Sequence, residues 1–293
     1  MTNKPKIKPL LPWVGGKRQL LKHLDTHIPH TYNTYYEPFL GGGALLLHLQ
    51  PTRATIGDLN PWLINAWTQT RNNIDEVISV VENLNAQADN ADWSKKHFFT
   101  TRERWSDTMQ AGERTPETAG LFLWCLKYSF GAKFDINSKG RSTNGYRSPA
   151  QGAGQVDFHN LKQVSHYLRN NDVTIVNSDW EPLVSNAKPG DFIFYDPPYM
   201  NQRGTQTNNA YSLTSFNQAD RERLAKIATQ QHRDNIHVLA TEHEDPQSNA
   251  LWSIFNCETH TRTWSLRVGN RYGARELIIS NTPRKKEPAH HDM

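Results

Sequence analysis

The sequence predicts an α/β fold in which a parallel sheet carries an inserted, mostly helical second domain. Short apolar runs bounded by turn residues alternate with helical patterns early in the chain, and such alternation implies parallel strands. Helical segments and a stretch rich in Gly, Ser and Asn interrupt the alternation over residues 75–155, after which it resumes. We therefore assign residues 1–72 and 156–293 to the α/β domain and residues 73–155 to the inserted domain.

Each predicted strand of the α/β domain is an apolar run that ends at a turn signal. Pro61 suits the first turn of a helix because its φ is fixed, and the helical pattern continues to Leu84. Another helix is predicted over residues 217–233. The last two apolar runs, residues 257–266 and 275–281, are separated only by RVGNRYGA, which predicts an antiparallel hairpin at the sheet edge. The predicted parallel strands are residues 34–39, 53–58, 173–178, 191–196 and 236–242.

The composition is typical of a soluble globular chain, with 36% hydrophobic and 21% charged residues. The apolar runs are too short to span a bilayer and no signal peptide is visible, so we expect no membrane contact. The only cysteines, Cys125 and Cys257, argue against a disulfide framework and for a cytoplasmic location. We expect a monomer. A single Cys-x-x-His pair at residues 257–260 does not complete a zinc site, so no metal is expected. The formal charge of +4 is compatible with a polyanionic partner.

Two glycines and an aspartate indicate a nucleoside site. In EPFLGGGALL, Gly41 and Gly43 lie between a predicted strand and its helix, where a ligand can approach the backbone closely. Asp58 ends the next strand, the position at which an acidic residue of such a sheet hydrogen-bonds a ribose diol. No Gly-Lys-Ser or Gly-Lys-Thr phosphate loop is present, so the nucleoside need not carry a triphosphate.

Two flanking stretches allow a binding role or a structural one. PWVGGKRQLL places Trp13 and Lys17 around two glycines, which suits a ligand pocket or a helix cap with a surface lysine. NSDW places Asp179 at the end of a strand, where its carboxylate either binds the amino group of an adenine or caps a helix.

In the stretch DFIFYDPPYM, an apolar strand is followed by an acid, two prolines and an aromatic residue. Pro197 and Pro198 fix φ and lack an N–H, so the backbone after Asp196 is stiff and its carbonyls have no partner in the sheet. An ordinary turn, with Tyr199 as packing, is the structural alternative.

Taken in order, PWVGGK, EPFLGGG, DLNP, NSDW and FYDPPY resemble the Dam-type DNA adenine-N6 methyltransferases, over nearly the whole chain. The resemblance implies a seven-stranded, Rossmann-like methyltransferase sheet, S-adenosylmethionine as cofactor and double-stranded DNA as partner. It also implies that Asp196, Pro197 and Tyr199 act at the target base and that Asp196 borders the cofactor. The other implied cofactor residues are Trp13, Lys17, Phe39, Gly41, Gly43, Asp58 and Asp179.

The chemistry of adenine explains the Pro-Pro segment. The lone pair of the exocyclic nitrogen is delocalised into the ring, so an enzyme must hold its N–H groups with acceptors that favour a tetrahedral nitrogen. Asp196 and the carbonyl of Pro197 can supply these acceptors, and a stiff backbone fixes them in advance. Tyr199 would stack on the flipped base.

The inserted domain contains a basic stretch, since Asp135 is the only acid between Glu117 and Asp157. Residues 132–149 predict a hairpin with its tip at residues 138–140 that contacts DNA phosphates and groove edges; a solvated loop is the alternative. The candidate DNA-binding residues are Lys127, Lys133, Lys139, Arg141 and Arg147.

Within this stretch we expect Arg141 to contact a base and Lys133 a phosphate. Residues 200–215 carry no acid and few apolar side chains, which predicts a lid over the flipped adenine. Two other functions stay open from the residues alone: a non-catalytic DNA-binding protein on the same scaffold, and a methyltransferase that acts on RNA or on cytosine N4.

Overall fold

The computed structural model describes residues 5–90, 95–132, 134–199, 216–263 and 273–283. The predicted lid at residues 200–215 and the predicted phosphate contact of Lys133 lie outside these described residues.

A seven-stranded sheet forms the centre of the fold, as predicted. Its strand order is β3-β2-β1-β4-β5-β7-β6, with the first five strands parallel and β7 antiparallel to both of its neighbours. The hairpin predicted for the last two strands is thus confirmed, and β6 forms one edge. The strands are β1 (Tyr35–Glu37), β2 (Arg53–Asp58), β3 (Asp172–Asn177), β4 (Phe192–Tyr195), β5 (His237–His243), β6 (Asn256–Thr263) and β7 (Gly273–Ser280).

Short polar caps set where several helices begin. The Asn60 side chain accepts hydrogen bonds from the first turn after Pro61, and Asn217 and Asp220 form a capping box before Gln218. The helices are α1 (Leu21–Leu24), α2 (Ala44–Leu49), α3 (Pro61–Asn72), α4 (Ile74–Asn90), α5 (Lys95–Gln110), α6 (Pro116–Lys127), α7 (Phe158–Arg169), α8 (Trp180–Val184), α9 (Gln218–Arg233) and α10 (Pro246–Leu251).

The single helix predicted from Pro61 to Leu84 is wrong, because the chain breaks at Asn73 between α3 and α4. Asn73 has φ −135° and ψ 44°, which is not helical, and its amide side chain donates a 2.7 Å hydrogen bond to Gln69. An asparagine competes with the helical backbone for hydrogen bonds, so it is well suited to such a break.

Both faces of the sheet are covered, which explains the continuous apolar run of β4. Phe192 and Phe194 join a buried cluster with side chains of α3 to α7, whereas Ile193 and Tyr195 join a second cluster with side chains of α8 to α10. The helices α4 to α6, which form most of the predicted inserted domain, therefore share a core with the sheet. The proposed domain boundaries stay a prediction.

The basic segment after α6 doubles back as predicted but without a continuous ladder. Two isolated antiparallel bridges join Ser129 to Tyr146 and Ile136 to Ser142. Between them the chain turns at residues 138–140, where Asn137 Oδ1 accepts hydrogen bonds from two backbone amides. Side-chain oxygens take the place of ladder acceptors here: Asn144 Oδ1 accepts from the N–H of Asp135, and Ser106 Oγ accepts from the N–H of Ser142.

The order of the sheet determines where a ligand can bind. From the adjacent strands β1 and β4 the chain continues in opposite directions across the sheet, to β2 and to β5. In open α/β sheets, ligands bind at the carboxyl ends of the strands beside such a switch point. None of the helices in the described parts of the chain is long and apolar enough to cross a membrane.

Candidate active site

One cavity of about 850 Å³ opens at the carboxyl ends of β1, β2, β3 and β4. It brings together all the predicted cofactor and catalytic residues, although they come from distant parts of the sequence. Those lining it are Trp13, Lys17, Phe39, Gly41, Gly43, Asp58, Asp179, Asp196, Pro197 and Tyr199.

The glycine loop is needed for the close approach of two tryptophans. Gly41 and Gly43 both have positive φ, 48° and 66°. A Cβ on Gly41 would lie 2.8 Å from the ring of Trp13, and a Cβ on Gly43 would lie 2.5 Å from the ring of Trp67. Trp67 also donates a hydrogen bond to the Gly41 carbonyl. Neither position can therefore hold a larger residue, and Trp13 closes the loop on the cavity side.

Asp58 supports this loop as well as facing the cavity. Its Oδ2 accepts a 3.1 Å hydrogen bond from the backbone N–H of Gly41, and its Oδ1 accepts a 3.0 Å bond from the N–H of Asn60. Burial raises the pKa of Asp58 to about 6, although these hydrogen bonds oppose the shift. Each carboxylate oxygen has a second lone pair, so the group can still accept hydrogen bonds from a ribose.

An aromatic slot lies beside this carboxylate. Phe39 stacks near Trp180 with ring centroids 6.2 Å apart and meets Phe216 edge-on at 5.8 Å. Asp179 borders the slot, and its Oδ1 accepts a 2.7 Å hydrogen bond from the N–H of Trp180, so it also begins α8. A slot of aromatic faces between two carboxylates fits a nucleoside.

The acid after β4 is bound to a buried lysine. Oδ1 of Asp196 lies 2.6 Å from Nζ of Lys17 and accepts a 2.8 Å hydrogen bond from the Thr241 hydroxyl. Lys17 is only 3% exposed, so it is not a surface lysine. Burial raises the pKa of Asp196, and the charge of Lys17 opposes that rise. Oδ2 of Asp196 accepts no hydrogen bond from the residues that the structure describes.

Tyr199 is fixed at its hydroxyl and at one face of its ring. The hydroxyl donates a 2.5 Å hydrogen bond to Oε1 of Glu276 on β7, and Nζ of Lys17 lies 4.7 Å from the ring centroid. Burial raises the pKa of Tyr199, and the nearby charges of Asp196 and Glu276 raise it further. The phenol therefore acts as a neutral hydrogen-bond donor.

The sequence that forms this site matches one protein family. The family model described as "D12 class N6 adenine-specific DNA methyltransferase" matches residues 13–266. The chain belongs to this family. The match confirms the resemblance seen in the motifs. It also confirms the prediction that the enzyme acts on adenine in DNA and not on RNA or cytosine N4. Because its members transfer a methyl group, a methyl donor is implied.

Three curated relatives match three quarters of the chain or more. The chain is 31% identical over 284 residues to "Type II methyltransferase M1.LlaDCHI" of Lactococcus lactis subsp. cremoris, which covers 95% of this chain and 97% of the relative. It is 26% identical over 288 residues to "DNA adenine methylase" of Haemophilus influenzae, at 96% and 97% coverage. It is 28% identical over 235 residues to "Type II methyltransferase M.MjaIII" of Methanocaldococcus jannaschii, at 75% and 79% coverage.

The methyltransferase holds its predicted DNA-binding cations in different surroundings. Lys127, at the end of α6, is half-buried and lines the cavity, and burial lowers its pKa. Arg141 is bound to α5, with 2.6 Å and 2.9 Å ion pairs to Glu103 and Asp107. Lys139 is exposed at the turn, and Nε of Arg147 donates to the carbonyl of Gln151.

Sequence reasoning missed several residues of the site. Glu37 ends β1 inside the cavity wall, fully buried, where Oε2 accepts hydrogen bonds from the Tyr35 hydroxyl at 2.7 Å and the Leu46 N–H at 3.1 Å. Burial raises its pKa to about 8. Its place in EPFLGGG, before the glycines, was the available signal. Trp180, Phe216 and Glu276 were also missed, and for Glu276 only an acid at the start of an apolar strand was visible.

One exposed aromatic residue of the basic segment is not among the predicted DNA-binding residues. The side chain of Phe130 is 53% exposed, which is unusual for a phenylalanine, and it lies just after α6 in the stretch that carries Lys127 and Lys139. The turn that presents it contains Gly131 with φ 71°. An apolar ring among cations is typical of surfaces that contact nucleic-acid bases.

Proposed function

We propose that this protein transfers a methyl group from S-adenosylmethionine to N6 of an adenine that is flipped out of double-stranded DNA at a specific sequence. The observation that carries the proposal is the position of Asp196: it lines the same cavity as the nucleoside slot, and its Oδ1 is fully engaged while Oδ2 faces no donor among the described residues. S-adenosylmethionine, when bound, supplies an electrophilic methyl group.

The aromatic slot and its carboxylates support the choice of donor. Asp58 would accept hydrogen bonds from a ribose diol and Asp179 from the amino group of an adenine ring, which Phe39 and Trp180 would cover. Trp13 and the loop at Gly41 close the adjoining wall. All of these residues bind and orient; none needs to change its charge.

Asp196 and Pro197 supply the acceptors for the target amino group. Oδ2 of Asp196 and the carbonyl of Pro197 would each accept one N–H of the adenine, which shifts electron density to the nitrogen that is to be methylated. Lys17 and Thr241 hold Oδ1, so the carboxylate enters the reaction already oriented. Positioning of the reacting atoms then accounts for much of the rate.

Methyl transfer can be tested directly. The purified protein is incubated with radiolabelled S-adenosylmethionine and plasmid DNA from a host without adenine methylation, and the product is sequenced for modified bases. We expect N6-methyladenine at one sequence motif. Single-stranded DNA and RNA serve as competing acceptors, and label that enters only these, or enters cytosine, contradicts the proposal.

The variant Asp196→Ala provides the catalytic control. Its turnover should fall on the order of a hundredfold or more, because the lost acceptor acts mainly in the transition state, while DNA affinity stays nearly unchanged. Asp191→Asn is the matched comparison, since Asp191 binds backbone N–H groups at the other end of β4. Equal turnover in Asp196→Ala and the wild type would remove Asp196 from the mechanism.

The relatives favour a role in a restriction-modification system. Two of the three relatives described above are named type II methyltransferases, including the one with 31% identity. We therefore infer that methylation protects DNA from an endonuclease of the same specificity. DNA from an expressing host should resist such an endonuclease once the methylated motif is known. Full cleavage of methylated sites contradicts this role.

A further inference from the structure

Glu276 connects the C-terminal hairpin to the reaction centre. It is the fourth residue of β7, opposite His243 at the end of β5, and this antiparallel pairing places it at the carboxyl end of the parallel strands. The residue is buried and lines the active-site cavity. No motif in the sequence assigned it a role.

A single oxygen of this carboxylate makes two contacts with the reaction centre. Oε1 accepts the 2.5 Å hydrogen bond from the Tyr199 hydroxyl and lies 3.2 Å from Nζ of Lys17. The same Nζ lies 2.6 Å from Oδ1 of Asp196 and donates a 2.8 Å hydrogen bond to the Gly15 carbonyl. Glu276 therefore contacts Lys17, which is paired with Asp196, and the neighbouring Tyr199, but it does not contact Asp196 itself.

We propose that Glu276 is a positioning residue for methyl transfer, whose carboxylate holds Tyr199 and Lys17 in the arrangement that leaves Oδ2 of Asp196 open to the target adenine. This inference rests on the proposed function. Charge-assisted hydrogen bonds are the strong ones, so a carboxylate that accepts one from a phenol and forms an ion pair with an ammonium at 3.2 Å fixes the two groups relative to each other. Because β7 is hydrogen-bonded to β5 on one side and to β6 on the other, the backbone that carries Glu276 is held in place.

Glu276 also acts on the charge of Asp196. Among the described residues, four ionisable groups act on the charge of that carboxylate: Lys17 from the amino-terminal segment, Glu276 from β7, Tyr199 from its own segment and Glu37 from β1. The charge of Glu276 raises the pKa of Asp196, whereas Lys17 lowers it. Removal of the Glu276 charge should therefore lower the pKa of Asp196, an effect that a purely structural side chain would not have.

The test compares Glu276→Gln with the wild-type enzyme. We expect kcat to fall on the order of tenfold or more, with KM for DNA and DNA affinity within about twofold, because the variant disturbs the reaction centre and not the DNA surface. The acidic limb of the kcat–pH profile should move to lower pH. Glu258→Gln is the matched control: Glu258 lies on β6 of the same hairpin, pairs with His27 and does not line the cavity, so both readouts should stay at wild-type values.

A double-mutant cycle tests whether Glu276 acts on the reaction through Tyr199. If Glu276 acts through the phenol, Tyr199→Phe with Glu276→Gln should lose less than the sum of the two single effects. Glu276→Asp keeps the charge, so its acidic limb should stay at the wild-type pH even though kcat falls. If Glu276→Gln does not unfold cooperatively, it is not properly folded, and Glu276→Asp and Tyr199→Phe are measured in its place. A wild-type kcat in both of these variants overturns the proposal.

The outcomes separate this inference from the proposed function. Absence of methyl transfer by the wild-type enzyme refutes the function itself. An active wild-type enzyme, with Glu276→Gln unchanged in kcat and in pH profile, overturns only the role of Glu276. A fall in kcat without a move of the acidic limb also overturns it, because such a result reports loss of structure alone.

Discussion

Nζ of Lys17 lies 2.6 Å from Oδ1 of Asp196, although 179 positions separate the two residues in the sequence. The lysine comes from the segment before α1 and the aspartate from the end of β4. The side chain of Lys17 is 3% exposed and that of Asp196 18%, so their attraction is stronger than that of a fully exposed surface pair. The amino-terminal segment is thus tied to the reaction centre by charge as well as by packing.

Replacement of Lys17 by methionine should slow methyl transfer most at low pH. Burial already raises the pKa of Asp196, and loss of the lysine charge raises it further, so more of the carboxyl is protonated at a given pH. A protonated carboxyl loses an acceptor, and the acidic limb of the kcat–pH profile should move to higher pH. Lys22→Met, at an exposed position in α1, is the control. An unmoved limb would mean that Asp196 does not govern this part of the profile.

Asp58→Ala should weaken S-adenosylmethionine binding by about 1 to 3 kcal/mol, since hydrogen bonds to the ribose and the support of the Gly41 N–H are both lost. The pKa of Asp58, about 6, adds a pH dependence to the wild type: affinity should fall as pH drops below 6 and the acceptor is protonated. Calorimetry at pH 5, 6 and 7.5 measures both effects, with Asp75→Asn, exposed on α4, as control. Equal affinity of Asp58→Ala and the wild type would place the ribose elsewhere.

The sequence predicted the sheet and much of the cavity because strand ends and motifs are local signals. Asp58 ends a strand, Gly41, Asp179 and Asp196 follow one, and the carboxyl ends of parallel strands meet at one edge. Glu276 gave no such signal, because its role depends on the antiparallel placement of β7 beside β5. Pairings between distant segments cannot be read from periodicity.

The basic segment shows the same limit. Its turn at residues 138–140 was predicted from glycines and polar residues, but the partners of Arg141 were not, because Glu103 and Asp107 lie one helical turn apart on α5, more than 30 residues upstream. The break at Asn73 was missed for another reason: the apolar period continues through it, and only the side-chain hydrogen bond to Gln69 shows why the helix ends.

Glu37 should make the free enzyme less stable as pH rises. Its pKa is about 8 in the folded protein and about 4.5 when unfolded, so the folded state binds more protons between these values. Stability therefore falls as pH rises from about 5 to 8. Glu37→Gln should reduce this fall by up to a few kcal/mol, since glutamine can accept the same two hydrogen bonds without a charge. Urea unfolding at pH 5.5, 7 and 8.5 tests this, with Glu76→Gln, exposed on α4, as control.

Phe130→Ala should slow methylation by impairing base flipping. An exposed ring in the basic segment can insert into the space that a flipped adenine leaves in the base stack, and stacking on an aromatic ring contributes about 1 to 3 kcal/mol. DNA with 2-aminopurine at the target should show a smaller rise in fluorescence with the variant. Ile254→Ala is a matched control because Ile254 is equally exposed, at 53%, but lies between α10 and β6. Equal fluorescence for Phe130→Ala and the wild type would exclude insertion.

Arg141→Ala should broaden the set of methylated sites. Arg141 could select the site in two ways, and the structure suggests variants that distinguish them. A direct contact with guanine contributes about 1 to 3 kcal/mol of discrimination. Alternatively, the ion pairs with Glu103 and Asp107 set the position of the turn at residues 138–140, and Arg141 selects the site by holding that turn. Glu103→Gln breaks one ion pair but keeps the guanidinium of Arg141, together with its ion pair to Asp107, so a direct contact with a base stays possible.

Sequencing of host DNA for modified bases distinguishes these two roles. If Arg141 acts by holding the turn, Glu103→Gln should broaden the set of sites as Arg141→Ala does. If it reads a base, only Arg141→Ala should do so. Lys133→Ala should slow methylation without changing the set and should reduce the salt slope of DNA binding by about one, because a phosphate contact weakens all sequences alike. An unchanged set and rate in all three variants would place recognition in the helices between residues 75 and 130, where α5 and α6 offer the nearest surface.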